Sequence, residues 1–492
     1  MPRSMRPEKD SPLPLLLFPG ADRASKAWIG RLKKEGRIRP IGARLYTSVK
    51  PGSEETVVRQ SWGEIVSHLF PHALLSHRSA LEFKPSPAGI VYLTATTSRL
   101  LTYPGLTLKF MKGPPPREDD AAFLSFRASS RARAFLENYA IAHSEKGESK
   151  TLPPEELEKK LEELLRFKGE KELNRLRDEA KKIAKQFGWE KSFAKLNQTI
   201  SALLGTKPAK RLKSQSAIAR ALGRPYDPRC VERFGLLAAE LHGTPLDENP
   251  DRFGARDHFR NKAFFESYFS NYIEGTTFEI EEAEEIVFEK KIPKNRPKDA
   301  HDILATYSIV SNPNELKRLP KNSDDLRELL QARHFTLMKD RPEANPGRYK
   351  DRPNRAGQTH FGTPELIEGT LDQGFKFYKD LPSGLAASIY IMFLIAEVHP
   401  FTDGNGRIAR VFMNAELYAQ GLSTIIIPNV YRDDYLGALR ALSRQNRPRP
   451  LIQMLTRAHE FSHIEFSPYQ KILKLLKQQN WFEDPDEAKL IL

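Results

Sequence analysis

Residues 399–410 read HPFTDGNGRIAR, and this stretch decides the fold of the C-terminal half of the chain. It is preceded by an apolar run, LAASIYIMFLIA, at residues 385–396, and followed by RIARVFMNAELYAQ at residues 407–420. The apolar run is too short to cross a membrane, which takes about 20 apolar residues. The pattern therefore predicts a buried helix, a glycine-rich loop and a second helix.

The loop has the features of an anion site. Gly404, Asn405 and Gly406 stand where the second helix begins, so several backbone N–H groups are free beside the positive end of the helix dipole. Arg407 and Arg410 are three residues apart and share one helix face, from which both guanidinium groups can reach adjacent phosphates. The sequence predicts a phosphate cradle here.

Two side chains of the same loop can supply the chemistry. Asp403 offers the hard oxygen ligand that Mg²⁺ prefers when it bridges phosphates. His399 can take a proton from an incoming nucleophile. Pro400 and Phe401 are interpreted as anchors that hold the loop rigid. Together these residues predict nucleotidyl or phosphoryl transfer.

The stretch matches HPFx[DE]GNGRxxR at every fixed position, and on this motif residues of about 250–465 resemble Fic-domain proteins. The resemblance implies an all-helical domain that moves AMP from Mg-ATP to a Ser, Thr or Tyr hydroxyl of a target protein or of itself. It implies that His399 is the general base and that Asp403 binds Mg²⁺. The phosphates would be held by the backbone of Gly404, Asn405 and Gly406 and by the side chains of Arg407 and Arg410. Both cradle glycines are intact, which favours AMP transfer over transfer of the terminal phosphate.

Residues 349–364, YKDRPNRAGQTHFGTP, resemble the flap hairpin of that family. The flap lies over the nucleotide and pairs with an extended segment of the target by strand addition. The resemblance implies that Gly357, Gln358, Thr359 and His360 line the nucleotide; the alternative is an ordinary surface turn. Tyr435 stands where the family often has an aromatic residue near adenosine, and core packing is the alternative there.

Residues 270–275, SNYIEG, match the family's inhibitory motif [ST]xxxE[GN]. A carboxylate at Glu274 would form a charge-assisted pair with Arg410, the group expected to hold the γ-phosphate. Ser270 lies four residues earlier on the same helix face and is expected to steady Glu274, and Gly275 gives the helix end room. The motif predicts an autoinhibited enzyme. The alternatives are a surface glutamate, or an enzyme that removes AMP with Glu274 aligning water.

The N-terminal region is strongly basic. Residues 22–50 carry nine basic side chains against two acidic ones. The segment predicts a helix ending near residues 34–36 and a hairpin of RIRPI and RLYTSV, which is a winged-helix-like pattern. Lys33, Lys34 and Arg37 are the candidate DNA contacts, and a solvated helix without a ligand is the alternative.

The stretch LFPHALLSHRSALEFKPSPAGIVYLT at residues 69–94, with the basic segment before it, resembles the AbiEi family of antitoxin-like regulators over roughly the first 140 residues. That resemblance implies DNA binding or control of a partner module. A rival function is therefore a DNA-binding regulator whose Fic module senses nucleotide. Short alternating stretches between residues 58 and 112 predict a β-rich part, and residues 151–187 predict an amphipathic helix with a break at Gly169.

Composition sets the remaining expectations. The chain has 492 residues, a net charge of +15 and a single cysteine, Cys230, which cannot form an internal disulfide. We expect a cytoplasmic, multidomain, mostly α protein without a membrane segment, with ATP and Mg²⁺ as its small-molecule partners. The expected division is a winged-helix-like segment at 1–55, a mixed α/β domain at 56–145, a helical connector at 146–245, the Fic domain at 246–465 and a helical tail at 466–492.

Overall fold

The computed structural model describes residues 13–20, 22–140, 148–356 and 358–491. The chain divides into two compact units, Met1–Gly223 and Arg224–Leu492. This boundary lies inside the segment expected to be a helical connector, and the division into five parts stays a prediction. No helix of the described ranges is long and apolar enough to span a membrane.

The first unit begins with the helix and hairpin expected from residues 22–50. Helix α1 (Arg23–Lys34) is capped by Asp22, whose carboxylate accepts a hydrogen bond from the backbone of Ser25 at 2.8 Å. A three-stranded antiparallel sheet accompanies it, in the order β1–β3–β2. Its strands are β1 (Leu16–Leu17), β2 (Arg39–Gly42) and β3 (Leu45–Thr47).

The part expected to be β-rich contains three helices before its main strands. These are α2 (Glu54–Gln60), α3 (Trp62–Leu69) and α4 (His77–Glu82). The expectation of strands from residue 58 onward is wrong up to residue 82, except at Leu74–Leu75, the two-residue strand β4. In α3 the buried side chains Trp62, Ile65, Val66 and Leu69 follow the helical spacing of three and four residues.

A six-stranded mixed sheet forms the centre of this region. Its order is β6–β7–β5–β4–β9–β8, and the pairs β5–β7 and β4–β9 are parallel. The strands are β4 (Leu74–Leu75), β5 (Ile90–Ala95), β6 (Arg99–Tyr103), β7 (Leu106–Lys112), β8 (Ala121–Phe123) and β9 (Phe126–Ala128). The region is a mixed α/β fold.

Four helices complete the first unit: α5 (Arg131–Asn138), α6 (Pro154–Phe187), α7 (Glu190–Leu203) and α8 (Gln215–Ala221). The predicted break in α6 is confirmed, because Gly169 has φ 77° and ψ 175° and interrupts the helix. Leucines of α6, including Leu157, Leu161 and Leu176, pack in one apolar cluster with α5 and α7.

The described residues of the second unit form helices and one hairpin. Its helices are α9 (Pro228–Gly243), α10 (Arg256–Ile273), α11 (Ile280–Glu284), α12 (Pro297–Val310), α13 (Pro313–Leu316), α14 (Ser323–Met338), α15 (Ile367–Asp380), α16 (Leu385–Val398), α17 (Asn405–Ala419), α18 (Arg432–Gln445), α19 (Arg449–Phe461) and α20 (Tyr469–Gln478). The hairpin strands are β10 (Arg355–Ala356) and β11 (Thr359–His360). Helix α16 is buried almost throughout, as its apolar run predicts, and packs beside α17.

Candidate active site

His399 ends helix α16 and lies at the centre of the site. Its backbone is left-handed, with φ 50° and ψ 58°, and this turns the chain sharply into the loop before α17. Its Nδ1 lies 3.4 Å from the carbonyl oxygen of Ala396. Because a carbonyl only accepts hydrogen bonds, this contact keeps the proton on Nδ1 and leaves the Nε2 lone pair open. The imidazole also stacks on Phe361, with ring centres 3.8 Å apart.

The electrostatic environment keeps His399 neutral. Burial, and to a smaller extent the positive charge of Lys350, lower the pKa of His399 to about 4, whereas the hydrogen bond to Ala396 and the charges of Glu274 and Asp403 act in the opposite direction. At neutral pH the imidazole is therefore a free base. This is the protonation state that a general base requires before it takes a proton.

The loop between α16 and α17 is held in place by hydrogen bonds with Asn405, at the start of α17, and by contacts with His334 of α14. Asn405 accepts from the backbone N–H of Phe401 at 2.9 Å and donates to the Phe401 carbonyl at 2.8 Å. The Phe401 ring is fully buried and stacks on His334 at 3.6 Å. His334 Nε2 donates to the carbonyl of Asp403 at 3.0 Å, while its Nδ1 accepts from Gly347. The Asn405 side chain thus braces the loop.

Both cradle positions favour glycine, and the steric cause differs between them. Gly404 has φ +76°, and a Cβ there would lie 2.9 Å from the sulfur of Met338. A Cβ on Gly406 would overlap the carboxylate of Glu274. The Glu274 side chain therefore lies directly against the start of α17, where the backbone N–H groups of the cradle are found.

Arg410 and Glu274 form an ion pair. Arg410 is 4% exposed, and its Nη2 donates to Glu274 Oε1 at 2.7 Å. Ser270 contacts Arg410 rather than Glu274: its hydroxyl accepts from Arg410 Nε at 2.9 Å and its carbonyl accepts from Nη2 at 2.8 Å. Burial by itself would lower the pKa of the guanidinium, but the Glu274 carboxylate raises it above the ordinary value. Arg410 is thus a permanent cation.

The end of α10 brings Glu274 to this position. Glu274 caps the helix, and Gly275 follows with φ +89°, a left-handed turn that glycine adopts without strain. Tyr435 is buried beneath the pair, with its ring centre 5.9 Å from the Arg410 guanidinium carbon. Burial also raises the pKa of Tyr435, so the phenol stays neutral.

Arg407 has a different environment from Arg410. It is 3% exposed, and its Nη1 pairs with Asp302 Oδ2 at 2.9 Å. Asp302 also pairs with Arg341 at 2.8 Å. The structure therefore joins Arg407 to α12 and does not bring it to the cavity that Arg410 lines.

Asp403 is the residue suited to a metal ion. Its carboxylate is 56% exposed, with Oδ2 3.8 Å from Arg407 Nη2 and Oδ1 accepting from the backbone of Gly404 at 2.6 Å. Within the described ranges no group of three or more His, Cys, Asp or Glu residues is arranged to hold a metal. A Mg²⁺ ion at this position would be held by one carboxylate, by water molecules and by the phosphates of a nucleotide, which is the usual ligand set of this ion.

One cavity of about 690 Å³ lies between His399, Arg410, Glu274 and the flap hairpin. Eight residues predicted from the sequence line it: Glu274, Gly275, Gln358, Thr359, His399, Gly406, Arg410 and Tyr435. Six predicted residues are outside its lining: Ser270, His360, Asp403, Gly404, Asn405 and Arg407. Gly357 lies outside the described residues. The volume suits a nucleotide-sized ligand.

The flap hairpin forms one wall of the cavity. Strands β10 and β11 pair antiparallel, and Thr359 accepts hydrogen bonds from Arg444 Nε at 3.1 Å and Nη2 at 2.7 Å. His360 is exposed. The hairpin is thus attached to α18, the helix that also provides Tyr435.

The sequence analysis did not identify several residues that line the cavity or support the loop. One face of α18 lines the cavity through Leu436, Leu439, Arg440, Ser443 and Arg444. Its amphipathic spacing was the available signal. Glu397 also lines the cavity and accepts from Ser443 and Arg233, both at 2.5 Å. Glu397, Lys350 and His334 match no pattern that would have identified them.

The candidate DNA contacts belong to the first unit. Lys33 and Lys34 are exposed in the last turn of α1, and Arg37 is partly exposed just before β2. Arg39, on β2, is paired with Glu54 at 2.5 Å.

Comparison with known proteins identifies the family. A family model described as Fic/DOC matches residues 324–417. A Fido domain-containing protein of Dictyostelium discoideum is 34% identical over 103 residues, which are 20% of this chain and 72% of that protein. The chain belongs to the Fic/DOC family. Its C-terminal unit is accordingly the Fic fold, preceded by the mixed α/β region.

Longer matches to the Fic/DOC family cover more of the chain. The protein adenylyltransferase Fic of Nematostella vectensis is 27% identical over 244 residues, 48% of this chain and 55% of that protein. This chain thus spans about half the length of that relative. Among solved structures, a Fic domain-containing signalling protein of Bacteroides thetaiotaomicron is 21% identical, with 48% of this chain and 95% of that chain covered and a TM-score of 0.36. Fic-1 of C. elegans is 15% identical, with 65% and 97% covered and a TM-score of 0.37.

Proposed function

We propose that this protein is a protein adenylyltransferase, which moves AMP from Mg-ATP to a Ser, Thr or Tyr hydroxyl of a target protein or of itself, and that Glu274 restrains it. The observation that carries the proposal is a neutral imidazole with an open Nε2 at the same cavity as the cationic Arg410 and the cradle glycine Gly406. Curated Fic relatives named protein adenylyltransferase support the reaction class.

In this mechanism His399 Nε2 takes the proton of the target hydroxyl as that oxygen attacks the α-phosphorus. The bond between the α-phosphorus and the bridging oxygen breaks, and pyrophosphate leaves with that electron pair. Arg410 and the backbone N–H groups at the start of α17 stabilise the charge on the phosphates. Asp403 would hold Mg²⁺, which supplies further positive charge to the phosphates when bound.

The restraint follows from competition for Arg410. While Glu274 Oε1 is 2.7 Å from Arg410 Nη2, a phosphate oxygen cannot take that position on the guanidinium. The carboxylate also lies against Gly406, where a phosphate would meet the backbone of the cradle. ATP could then bind only in a pose in which its α-phosphate is out of line with the attacking hydroxyl.

Labelled nucleotides test the reaction class. The purified chain is incubated with Mg²⁺ and ATP labelled either on the α-phosphate or on the γ-phosphate, alone and with a cell lysate, and intact masses are recorded. AMP transfer predicts label in protein only from α-labelled ATP, with a mass increase equal to one AMP. Label from the γ-phosphate alone would contradict the proposal and identify a kinase.

A second candidate is removal of AMP from a modified protein. It is favoured by the position of Glu274, whose side chain is 30% exposed and lines the same cavity as His399, so that it can align a water molecule. A protein already carrying AMP on a hydroxyl, incubated with this chain, distinguishes the two. Loss of AMP that requires Glu274 would support removal, whereas transfer that increases without Glu274 supports the adenylyltransferase.

A role of the first unit in DNA binding is a further proposal, which rests on the exposed Lys33 and Lys34 and the density of basic residues in 22–50. The likeness of the first 140 residues to AbiEi regulators stays a prediction. A regulator that only senses nucleotide would bind DNA and ATP without transferring AMP.

A further inference from the structure

Lys350 is a buried cation next to the active site that the mechanism does not use. Lys350 is only 3% exposed. Within the described part of the chain, no carboxylate lies within 4.0 Å of its Nζ, and its polar contact is the Asn354 side-chain oxygen at 2.7 Å. A buried ammonium without a counter-ion is destabilising, so its position calls for a functional reason.

The segment from Lys350 to Asn354 is bonded to the catalytic loop at two points. The backbone N–H of Lys350 donates to the carbonyl of Pro400 at 2.9 Å, and Asn354 Nδ2 donates to the carbonyl of Phe401 at 2.9 Å. These two carbonyls belong to the residues that directly follow His399. Lys350 is therefore fixed to the HPF sequence through its backbone and through Asn354.

The same segment is also hydrogen-bonded to the backbone of Phe361, the residue whose ring packs on His399. The backbone N–H of Phe361 donates to the carbonyl of Asn354 at 3.1 Å, and Lys350 Nζ lies 5.8 Å from the centre of the Phe361 ring. Phe361 in turn stacks on the His399 imidazole, with ring planes only 5° apart. Lys350, Phe361 and His399 thus form one connected group whose only formal charge is on Lys350.

We propose that Lys350 is a positioning residue: its contacts with Asn354 and Phe361 fix its place beside His399, and its buried positive charge holds His399 in the neutral form with an open Nε2. The inference rests on the proposed function for its role in catalysis. Bound phosphates would favour a protonated imidazole, and a fixed cation opposes this effect. After His399 has taken the hydroxyl proton, the same cation favours its release, which restores the base.

The charges around His399 and Lys350 act in the directions that the proposal requires. Lys350 lowers the pKa of His399, while Glu274 and Asp403 act in the opposite direction. Burial lowers the pKa of Lys350 itself to about 8, and burial raises the pKa of the nearby Cys230 thiol, which therefore stays neutral and supplies no counter-charge. Lys350 is therefore charged at neutral pH.

The test is a titration of His399 in the full chain, measured by NMR with ¹³C-labelled histidine and assigned by the signal lost in His399→Ala. The titration runs from pH 3.5 to pH 8, and in the unsubstituted chain the His399 signal should have its midpoint at about pH 4 and stay constant between pH 5.5 and 8. In Lys350→Met, which keeps the length and apolar stem, the midpoint should rise by at least about one pH unit. Lys350→Arg keeps the charge and should leave the midpoint unchanged.

Lys350→Gln separates charge from hydrogen bonding, because its amide can still donate to Asn354. It should behave like Lys350→Met, and it also serves if the methionine variant does not fold. An unchanged His399 midpoint in the folded charge-free variants would overturn the proposal. So would a shift in Lys350→Met that Lys350→Gln does not share.

A kinetic measurement links this titration to catalysis. In a Glu274→Gly background, the ratio of the AMP-transfer rate at pH 5 to that at pH 8 should fall about twofold or more when Lys350 becomes Met, because a midpoint raised from about 4 to about 5 halves the free-base fraction of His399 at pH 5. An unchanged ratio despite a shifted midpoint would overturn the catalytic role. If no variant transfers AMP at any pH, the proposed function fails, and the NMR titration still decides whether Lys350 controls His399.

Discussion

At the scale of single residues, His399 has the most specific role. His399→Ala removes the group that takes the hydroxyl proton, and we expect AMP transfer to fall by about 10²-fold or more. ATP binding should be nearly unchanged, because Arg410 and the cradle glycines remain. Transfer rates and ATP affinity, measured by label incorporation and calorimetry, check this. Transfer at the unsubstituted rate would remove His399 from the base role.

The sequence predicted the residues of the HPF motif but not all of their contacts. Spacing alone put Arg407 and Arg410 on one face of α17, yet Arg407 pairs with Asp302 of α12, more than a hundred positions earlier. Ser270 was expected to steady Glu274 and instead accepts from Arg410. Such partners are brought together by tertiary packing, which a local pattern does not contain.

At the scale of secondary-structure elements, periodicity predicted long segments better than short ones. The buried run of α16 and the break of α6 at Gly169 were both read from the sequence. The short helices α2 to α4 were missed, since stretches of six to eight residues fit the helical and the alternating pattern about equally well. Strand order in the six-stranded sheet has no local signal at all.

Helix α1 and its hairpin carry the DNA-binding prediction. Changing Lys33, Lys34 and Arg37 to Glu should abolish retention on DNA without altering AMP transfer by the second unit. In the unsubstituted chain, affinity should fall steeply with salt, because each phosphate contact contributes a slope of about −0.9 in a plot of log K against log salt. Binding titrations at several salt concentrations check this.

The matched control changes basic residues elsewhere in the first unit, such as Lys181 and Lys182 on α6, to Glu. If the control weakens binding as much as the α1 variant does, general charge and not this helix attracts DNA. If the unsubstituted chain is not retained on DNA at low salt, the prediction is wrong.

At the scale of the whole molecule, buried histidines predict how stability depends on pH. Burial lowers the pKa of His77 to about 3 and those of His334, His399 and His459 to about 4. Their unfolded pKa is about 6.5, so between pH 6.5 and 4 the unfolded chain binds more protons than the folded one. Glu266 opposes this effect, because burial raises its pKa to about 7 and the folded chain binds its proton first. Four histidines outweigh this one carboxyl group, so the free energy of unfolding should decrease as the pH falls below 6.5.

Each such histidine contributes a slope of up to about 1.4 kcal/mol per pH unit in that window. Calorimetric unfolding temperatures between pH 4.5 and 8 measure the effect. Three of the four histidines lie in the second unit, so its transition should shift more than that of the first unit. Unfolding temperatures that do not change between pH 7 and 5 would contradict the predicted direction.

The ion pair between Glu274 and Arg410 is the feature on which the whole account depends. Glu274→Gly removes the carboxylate, frees Arg410 for phosphate and clears the space above Gly406. A change of about 1.4 kcal/mol in the balance between competent and misaligned ATP poses would raise the ratio of competent to misaligned poses about tenfold. Glu274→Gln tests the charge alone, since it keeps the size of the side chain.

The most direct test is intact-mass spectrometry of AMP incorporation after incubation with Mg-ATP, comparing the unsubstituted chain, Glu274→Gly, and Glu274→Gly with His399→Ala. The account predicts about tenfold or greater incorporation in Glu274→Gly and none in the double variant. Incorporation that falls in Glu274→Gly, or that persists without His399, would contradict an autoinhibited adenylyltransferase with His399 as its base.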